Sequence, residues 1–281
     1  MEVFRHKKTM NQWVRAGKTR GKSVGFVPTM GALHAGHLDL VRRALADNDL
    51  VVCSIFVNPI QFNKPEDLEK YPRTLDADLA QLERMGCHAV FCPDTREMYP
   101  GEETRTYDFG QLDKVMEGRY RAGHFNGVAI VVDKLFRITE PDRAYFGEKD
   151  FQQLQIVRAL ARMEEHPTEI VGCPTVRESD GLALSSRNVR LTAAQRREAP
   201  RIFQALQAAR ELYPGTAVED IIRTVRARIH ASPELELEYF EVVRARDLLP
   251  ATAADAGEPV MGCIAVHAGD VRLIDNLQLN S

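Results

Sequence analysis

The sequence predicts an α/β fold: a doubly wound parallel sheet over residues 1–175, followed by a second, smaller α+β domain over residues 176–281. Three observations lead there. Apolar runs too continuous for a strand with one wet face recur through the N-terminal part, which suits parallel strands covered on both sides. Between them lie segments with helical periodicity, giving the strand–helix–strand order of crossover connections. Near Val176 the texture changes, with helices first and strands afterwards.

The elements follow in order. Ser23–Pro28 (SVGFVP) reads as the first strand, and a glycine-containing loop leads to a helix from about Gly36. That helix places Leu38, Val41 and Leu45 on one stripe. Leu50–Val57 (LVVCSIFV) is a buried strand ended by Asn58-Pro59. Leu75–Met85 reads as a helix, and Ala89–Cys92 as a short strand closed by Pro93-Asp94. After a weaker stretch, Gly127–Ile138 is helical, with Ile130, Lys134 and Leu135 setting its turns and Pro141 stopping it. Ala144–Phe146 is a strand, and Asp150 with Gln153 forms a capping-box pattern that opens a helix. Leu154, Val157 and Leu160 or Ala161 face inward there, and Glu169–Val176 is the next strand. Further on, Thr192 and Gln195 form a second capping box, opening a long helix toward Tyr213 that Pro214-Gly215 breaks. A helix over about Val218–His230 follows, then strands at Glu236–Arg246, Val260–His267 and Val271–Ile274.

Composition narrows the function classes. With 281 residues, 44% hydrophobic and 27% charged, the chain can bury a sizeable core. Lys plus Arg number 37 against 40 Asp plus Glu, so no excess of positive charge recommends a nucleic-acid partner. No stretch approaches the roughly 20 apolar residues that cross a bilayer, and Met1–Lys8 lacks the apolar core of a secretory leader. Cys53, Cys87, Cys92, Cys173 and Cys263 are scattered, odd in number and without a CxxC pair, so neither a disulfide framework nor a zinc site is expected. A reducing cytoplasm fits best.

Four segments carry chemistry. Pro28–His37 (PTMGALHAGH) holds an H-x-G-H between a strand and an amphipathic helix. Unpaired N–H groups and the positive end of the helix dipole make such a junction an anion site. Gly31 and Gly36 would let a phosphate approach the backbone, and His34 and His37 would donate to its oxygens. Phe146–Asp150 (FGEKD) repeats the strand–glycine–helix pattern, and Lys149 there could reach a triphosphate as a flexible charge. Asp180–Asn188 (DGLALSSRN) puts two hydroxyls beside Arg187, a compact set of phosphate donors. Asn58 and Gln61 leave the carboxyl end of a buried strand, where open α/β sheets bind ligands. Each has a bland reading as well: surface histidines at a turn, a helix cap, a solvated loop and an Asn-Pro turn.

Taken together, PTMGALHAGH, FVNPIQF, YPRT, GHFNGV, FGEKDFQQ and TVRESDGLALSSRN resemble, in order and spacing, the pantothenate synthetase family. The likeness is strong over about Val24–Thr192 and looser beyond. It implies a Rossmann-like N-terminal domain for ATP and pantoate, with a C-terminal lid domain. It implies an AMP-forming ligase: pantoate attacks the α-phosphate of ATP, and β-alanine then attacks the pantoyl adenylate. Met30, Gly31, Ala32, Leu33, His34, Ala35, Gly36 and His37 would line the ATP site, with His34 and His37 near the α-phosphate. His37 matches the position usually labelled proton donor, although charge stabilisation is physically the more secure role. Gly147, Glu148, Lys149, Asp150, Val176, Leu184, Ser185, Ser186 and Arg187 would complete the site. His37, His34, Lys149 and Arg187 form the expected catalytic set. Gln61 and Gln153 would hold pantoate, with Gln61 also meeting β-alanine; Arg121 and His124 match positions nearby.

The resemblance further implies magnesium and a homodimer. Two departures stand out. Ala77 occupies a position that is often acidic in the family, so the metal's ligands stay unassigned, with Asp78, water and the phosphates as options. Leu184 stands where many relatives carry Met, a mild swap. Two rival readings are another H-x-G-H adenylyltransferase and a non-catalytic nucleotide-binding module.

Overall fold

In the computed structural model, which describes residues 1–63, 65–252, 255 and 257–280, the buried runs become a six-stranded parallel sheet. The chain divides into two units. The first is Met1–Asp113, Glu117–Glu148 and Gln153–Pro174; the second is Lys114–Met116, Lys149–Gln152 and Thr175–Ser281. Along the chain come β1 (Glu2–Phe4), α1 (Lys7–Lys18), β2 (Val24–Thr29), α2 (Ala35–Asp47) and β3 (Leu50–Ile55). Next are α3 (Pro65–Glu69), α4 (Leu75–Arg84), β4 (Ala89–Phe91), α5 (Thr95–Met98) and α6 (Met116–Tyr120). Then α7 (His124–Thr139), β5 (Arg143–Gly147), α8 (Phe151–Met163) and β6 (Glu169–Cys173) complete this part.

The sheet order is β1-β4-β3-β2-β5-β6. From β2 the chain steps outward through β3 to β4, then returns to place β5 on β2's other side. That reversal is a topological switch point, and in open α/β sheets ligands bind at the carboxyl ends of the strands there. Side chains alternate across the sheet, as period two requires. Val24, Phe26, Val52, Phe91 and Phe146 join α1, α7 and α8 in one core, whereas Val27, Val51, Cys53, Val90 and Tyr145 join α2 and α4 in the other. Both faces are covered, which is why these strands read as unbroken apolar runs.

The second unit contains α9 (Ala193–Glu198), α10 (Arg201–Leu212) and α11 (Val218–His230). They are followed by β7 (Glu236–Arg244), β8 (Val260–Ala268) and β9 (Val271–Gln278), an antiparallel sheet in the order β7-β8-β9. Ile202, Leu206, Val225 and Ile229 pack with Phe240, Val242, Ile264 and Val266 in its core.

Several expectations need correction. The long helix toward Tyr213 is two helices, because Pro200 supplies no N–H to continue α9 and instead starts α10 as its N-cap. The Thr192–Gln195 box itself forms. Asp150 does not cap α8: it lies within a 3-10 turn, Glu148–Asp150, that runs straight into the helix. A capping residue needs non-helical backbone, and here the turn already occupies that place. The α2 stripe is Leu40, Val41 and Ala44, with Leu38 and Leu45 only flanking it. β6 stops at Cys173, before Pro174. β1 and α1 have no counterpart in the sequence reading, since β1 has three residues and α1 buries only Met10, Val14 and Gly17.

One buried charge anchors the first core. Asp133 on α7 is fully buried and accepts from Arg105 Nη1 at 2.7 Å, Arg137 Nε at 2.9 Å and His166 Nε2 at 2.9 Å. Burial alone would push its carboxyl up, but the donors of Arg137, Arg105 and His166 outweigh it and hold it below the usual range. A depressed folded value contributes stability that is complete above the unfolded value of about 4 and is lost as pH falls through the folded one. Asp133→Ala is expected to lower unfolding stability at neutral pH by roughly 3 kcal/mol, the low end for a buried pair because the arginines keep water contact. Denaturant titrations from neutral to acid pH check this: the wild type weakens below about pH 4, and the variant has a flatter curve there.

Candidate active site

The ladder between β2 and β5 covers only Gly25–Arg143 and Phe26–Ala144. Beyond it β2 continues on β3 as far as Thr29–Ile55, and β5 continues on β6 as far as Gly147–Cys173. The sheet is therefore unpaired at the switch point, and Pro28, which has no N–H to offer, lies on the unpaired stretch of β2. Two expected site segments begin at this opening: Met30–His37 after β2, and Gly147–Glu148 at the end of β5.

The loop after β2 is braced from within. Thr29 Oγ1 donates to Ser54 O at 2.7 Å and accepts from Gly31 N at 3.2 Å. Gly31 and Ala32 both take left-handed backbone, with φ of 80° and 51°. Asp78 on α4, 1% exposed, accepts from Ala32 N at 3.0 Å, Leu33 N at 2.8 Å and Thr74 Oγ1 at 3.1 Å. A Cβ on Gly31 would lie 3.0 Å from Asp78 Oδ2 and 3.1 Å from Ile55 Cγ2. Gly31 thus answers to its own backbone and to Asp78, rather than only to an approaching phosphate. Asp78, an option for the metal from sequence, spends both oxygens on this loop.

His34 is the N-cap of α2, with extended backbone. Its Nδ1 accepts from Gly36 N at 3.2 Å, and His37 Nδ1 accepts from His34 N at 3.4 Å, a capping box built of two imidazoles. The ring centroids lie 4.1 Å apart. Since each Nδ1 acts as acceptor, the neutral rings carry their protons on Nε2. The junction therefore holds two N–H donors of fixed tautomer at the positive end of a helix.

Gln61 ends a 3-10 turn after β3 and is 8% exposed. Its Oε1 accepts from Asn58 Nδ2 at 3.0 Å, and its Nε2 lies 3.1 Å from Met30 Sδ. A thioether is a weak acceptor, so this buried N–H₂ keeps most of its donor strength for another partner. α7 packs against the same turn: a Cβ on Gly127 would fall 2.5 Å from Ile60 O and 2.7 Å from Gln61 Cα. His124 Nδ1–H donates to Gln61 O at 2.9 Å, which fixes the turn's backbone. Arg121 Nη1 lies 3.7 Å from Glu117. Gln153 is half-buried on the first turn of α8, and among the described residues no hydrogen bond joins it to Gln61.

In the second unit, Lys149 O accepts from Asn276 Nδ2 at 2.8 Å, and Lys149 Nζ lies 3.9 Å from Asp150 Oδ1. Leu184 N donates to Val176 O at 3.0 Å, closing a narrow loop over residues 177–183 that Ser185, Ser186 and Arg187 directly follow. Arg187 N donates to Ser185 Oγ at 3.2 Å, and Asn188 Nδ2 donates to Ala183 O at 3.0 Å. Arg177 fastens the loop with a bidentate bond to buried Asp275, at 2.6 and 2.9 Å, and stacks over Phe203 at 3.9 Å. Sequence reasoning gave no part to Arg177 or Asp275, whose spacing of 98 residues leaves no local signal.

All five cysteines are free and buried. Burial pushes the thiols of Cys87, Cys92 and Cys173 up to about 11, which leaves them protonated and poor nucleophiles. Among the described residues no three His, Cys, Asp or Glu side chains cluster as a metal cage, and no helix is long and apolar enough to cross a membrane.

The chain is similar to known proteins over nearly its whole length. The family model described as pantoate-beta-alanine ligase matches residues 2–278. A pantothenate synthetase of Bacteroides thetaiotaomicron is 50% identical over 278 residues, covering 99% of each chain. The crystal structure of pantothenate synthetase from Thermus thermophilus superposes with a TM-score of 0.92 at 43% identity, over 100% of both chains. A pantoate-beta-alanine ligase of Francisella tularensis, complexed with beta-gamma ATP and beta-alanine, gives a TM-score of 0.83 at 33% identity, over 100% of this chain and 98% of that one.

The brace on the β2 loop is open to test. Asp78→Asn turns one acceptor into a donor facing a backbone N–H, which is expected to cost about 1–3 kcal/mol. Hydrogen exchange of the Ala32 and Leu33 amides is expected to speed up accordingly. Unchanged protection of both amides would show that the loop holds without the carboxylate.

Proposed function

The chain belongs to the pantoate–β-alanine ligase family and joins pantoate to β-alanine, and from that premise we propose a two-step reaction with ATP through a pantoyl adenylate formed at the start of α2. The carrying observation is the pair of imidazoles that caps this helix at the switch point, each accepting a backbone N–H through Nδ1, which leaves Nε2 as the donor. A carboxylate and an amine at neutral pH form a salt rather than an amide. Adenylation makes the carboxylate oxygen a good leaving group, so a protein nucleophile is not needed.

In the first step the pantoate carboxylate attacks the α-phosphate and pyrophosphate leaves. His34 and His37 donate Nε2–H bonds to α-phosphate oxygens as charge builds there, and the α2 dipole adds to this field. The remaining ATP contacts are proposed along Met30–His37 and at Gly147 and Glu148, with Lys149, Asp150, Val176, Leu184 and Ser185–Arg187 assigned on motif likeness. Gln61 and Gln153 are proposed to hold pantoate through neutral amides. In the second step the β-alanine amine, received near Gln61, attacks the acyl carbon and AMP leaves. Holding the reactants in line supplies much of the acceleration in transfers of this kind.

Magnesium is proposed to arrive on the phosphates, since Asp78 is committed to the loop and no acidic cage occurs among the described residues. We extend the proposal to a homodimer in the cytoplasm. Free buried thiols suit a reducing compartment, and the dimer rests on family likeness.

Three measurements test this reading. Incubation with ATP, Mg²⁺, pantoate and β-alanine is expected to yield AMP and pantothenate together; ADP as the nucleotide product would exclude adenylation. With pantoate and ATP alone, labelled pyrophosphate is expected to exchange into ATP. His37→Ala is expected to slow that exchange by about 10²–10³ while ATP binding weakens little. Equal losses in binding and rate would remove the imidazole from transition-state stabilisation.

A further inference from the structure

We infer that Tyr99 is a positioning residue, fixing through Asn58 which face of the Gln61 amide is offered to the acid substrate. The inference rests on the reading of Gln61 as pantoate's partner and goes beyond it by naming what sets that partner's polarity. Amide oxygen and nitrogen have the same shape, so a glutamine can present either a donor or an acceptor. Which one it presents is decided by what it must satisfy behind it.

The chain of constraints starts at a group with no freedom. The carbonyl of Gly127 can only accept, and it lies 3.0 Å from the Asn58 amide, so the atom facing it is Nδ2. The other hydrogen of Nδ2 points to Gln61 at 3.0 Å, and Gln61 must meet it with Oε1. Gln61 Nε2 is thereby turned away, toward Met30 Sδ, as a donor with only a weak partner. A donor is what a carboxylate or hydroxyl oxygen requires. Rotating Gln61 would set an oxygen against it.

Tyr99 locks the remaining freedom. Its hydroxyl donates to Asn58 Oδ1 at 2.8 Å. Asn58 is 1% exposed, so water is a poor substitute for that bond. The phenol is itself held, with its ring 6.2 Å from that of Phe56 and the Lys134 ammonium 5.2 Å from its centroid. Burial, reinforced by nearby Glu103, pushes its pKa well above the ordinary value, so it stays an O–H donor at any working pH. Without the hydroxyl, Asn58 Oδ1 is a buried acceptor with no donor. The amide then tilts to find one, and Gln61 loses the partner that orients it.

The test is a double-mutant cycle on the full chain, with Tyr99→Phe, Gln61→Ala and the double variant assayed against varied pantoate and ATP. Tyr99→Phe is expected to raise the pantoate KM on the order of tenfold and to leave the ATP KM within about twofold. In the Gln61→Ala background the same change is expected to add no more than about twofold, because its route to substrate has gone. Equal rises in both KM values, or full additivity in the cycle, would mark Tyr99 as a general packing residue and overturn the inference. A silent Tyr99→Phe beside a large Gln61→Ala effect would overturn the inference alone; a silent Gln61→Ala would remove the reading of Gln61 as well. Asn58→Leu gives a second check should Tyr99→Phe fold poorly. It removes the amide through which Tyr99 acts, so Gln61 loses its orienting donor and the pantoate KM is expected to rise at least as far as in Tyr99→Phe, with the ATP KM within about twofold. An unchanged KM there would also overturn the inference.

Discussion

The candidate site depends on how backbone N–H groups are satisfied where β2 leaves the sheet. Strand pairing with β5 ends after Phe26, so the residues that follow have no neighbouring strand to bond with on that side. Left unpaired and buried, each such group would cost about as much as a lost hydrogen bond. Asp78 takes two of them, Thr29 takes one, and His34 and His37 take two more at the helix start. The side chains that do this are the ones that shape the site. Bracing the loop and arming it are the same event, because imidazoles that accept through Nδ1 must carry their protons on Nε2.

What the sequence revealed follows from this division. β2, β3 and β5 were legible because burial on both faces writes itself as an uninterrupted apolar run. β1 was not, because three residues at an edge acquire strand character only through β4, which lies far along the chain. Asp150 looked like a cap because residue type and spacing matched, yet the backbone had already begun a 3-10 turn. Pro200 was legible in principle, and the amphipathic pattern running across it concealed the break between α9 and α10.

The same contrast holds at the site. The H-x-G-H spacing placed two imidazoles on one turn, and the rings do lie side by side at 4.1 Å. Nothing local announced Asp78 as the brace, since its partners stand 46 and 45 residues away. A glycine at position 31 suggests room for a ligand, whereas its left-handed backbone and the closeness of Asp78 already favour glycine there. Asn58 could be read as a turn starter, but its amide is set by Gly127, 69 residues on. Residue types forecast chemistry; long-range partners decide orientation.

Neutrality is the common thread of these orientations. In the proposed reaction, imidazoles that accept through Nδ1 and a carboxamide have fixed polarity but no net charge, so they would meet anionic groups without the full desolvation penalty of buried ions. Repulsion between ATP and a carboxylate must still be overcome, and preset dipoles can do so only if they do not turn as charge moves. The hydrogen bonds behind Gln61 and beneath the two histidines prevent that turning. A site of this kind is as effective as the rigidity of its supports, and those supports are Asp78, Asn58 and the Gly127 carbonyl, on elements that come from three separate stretches of the chain.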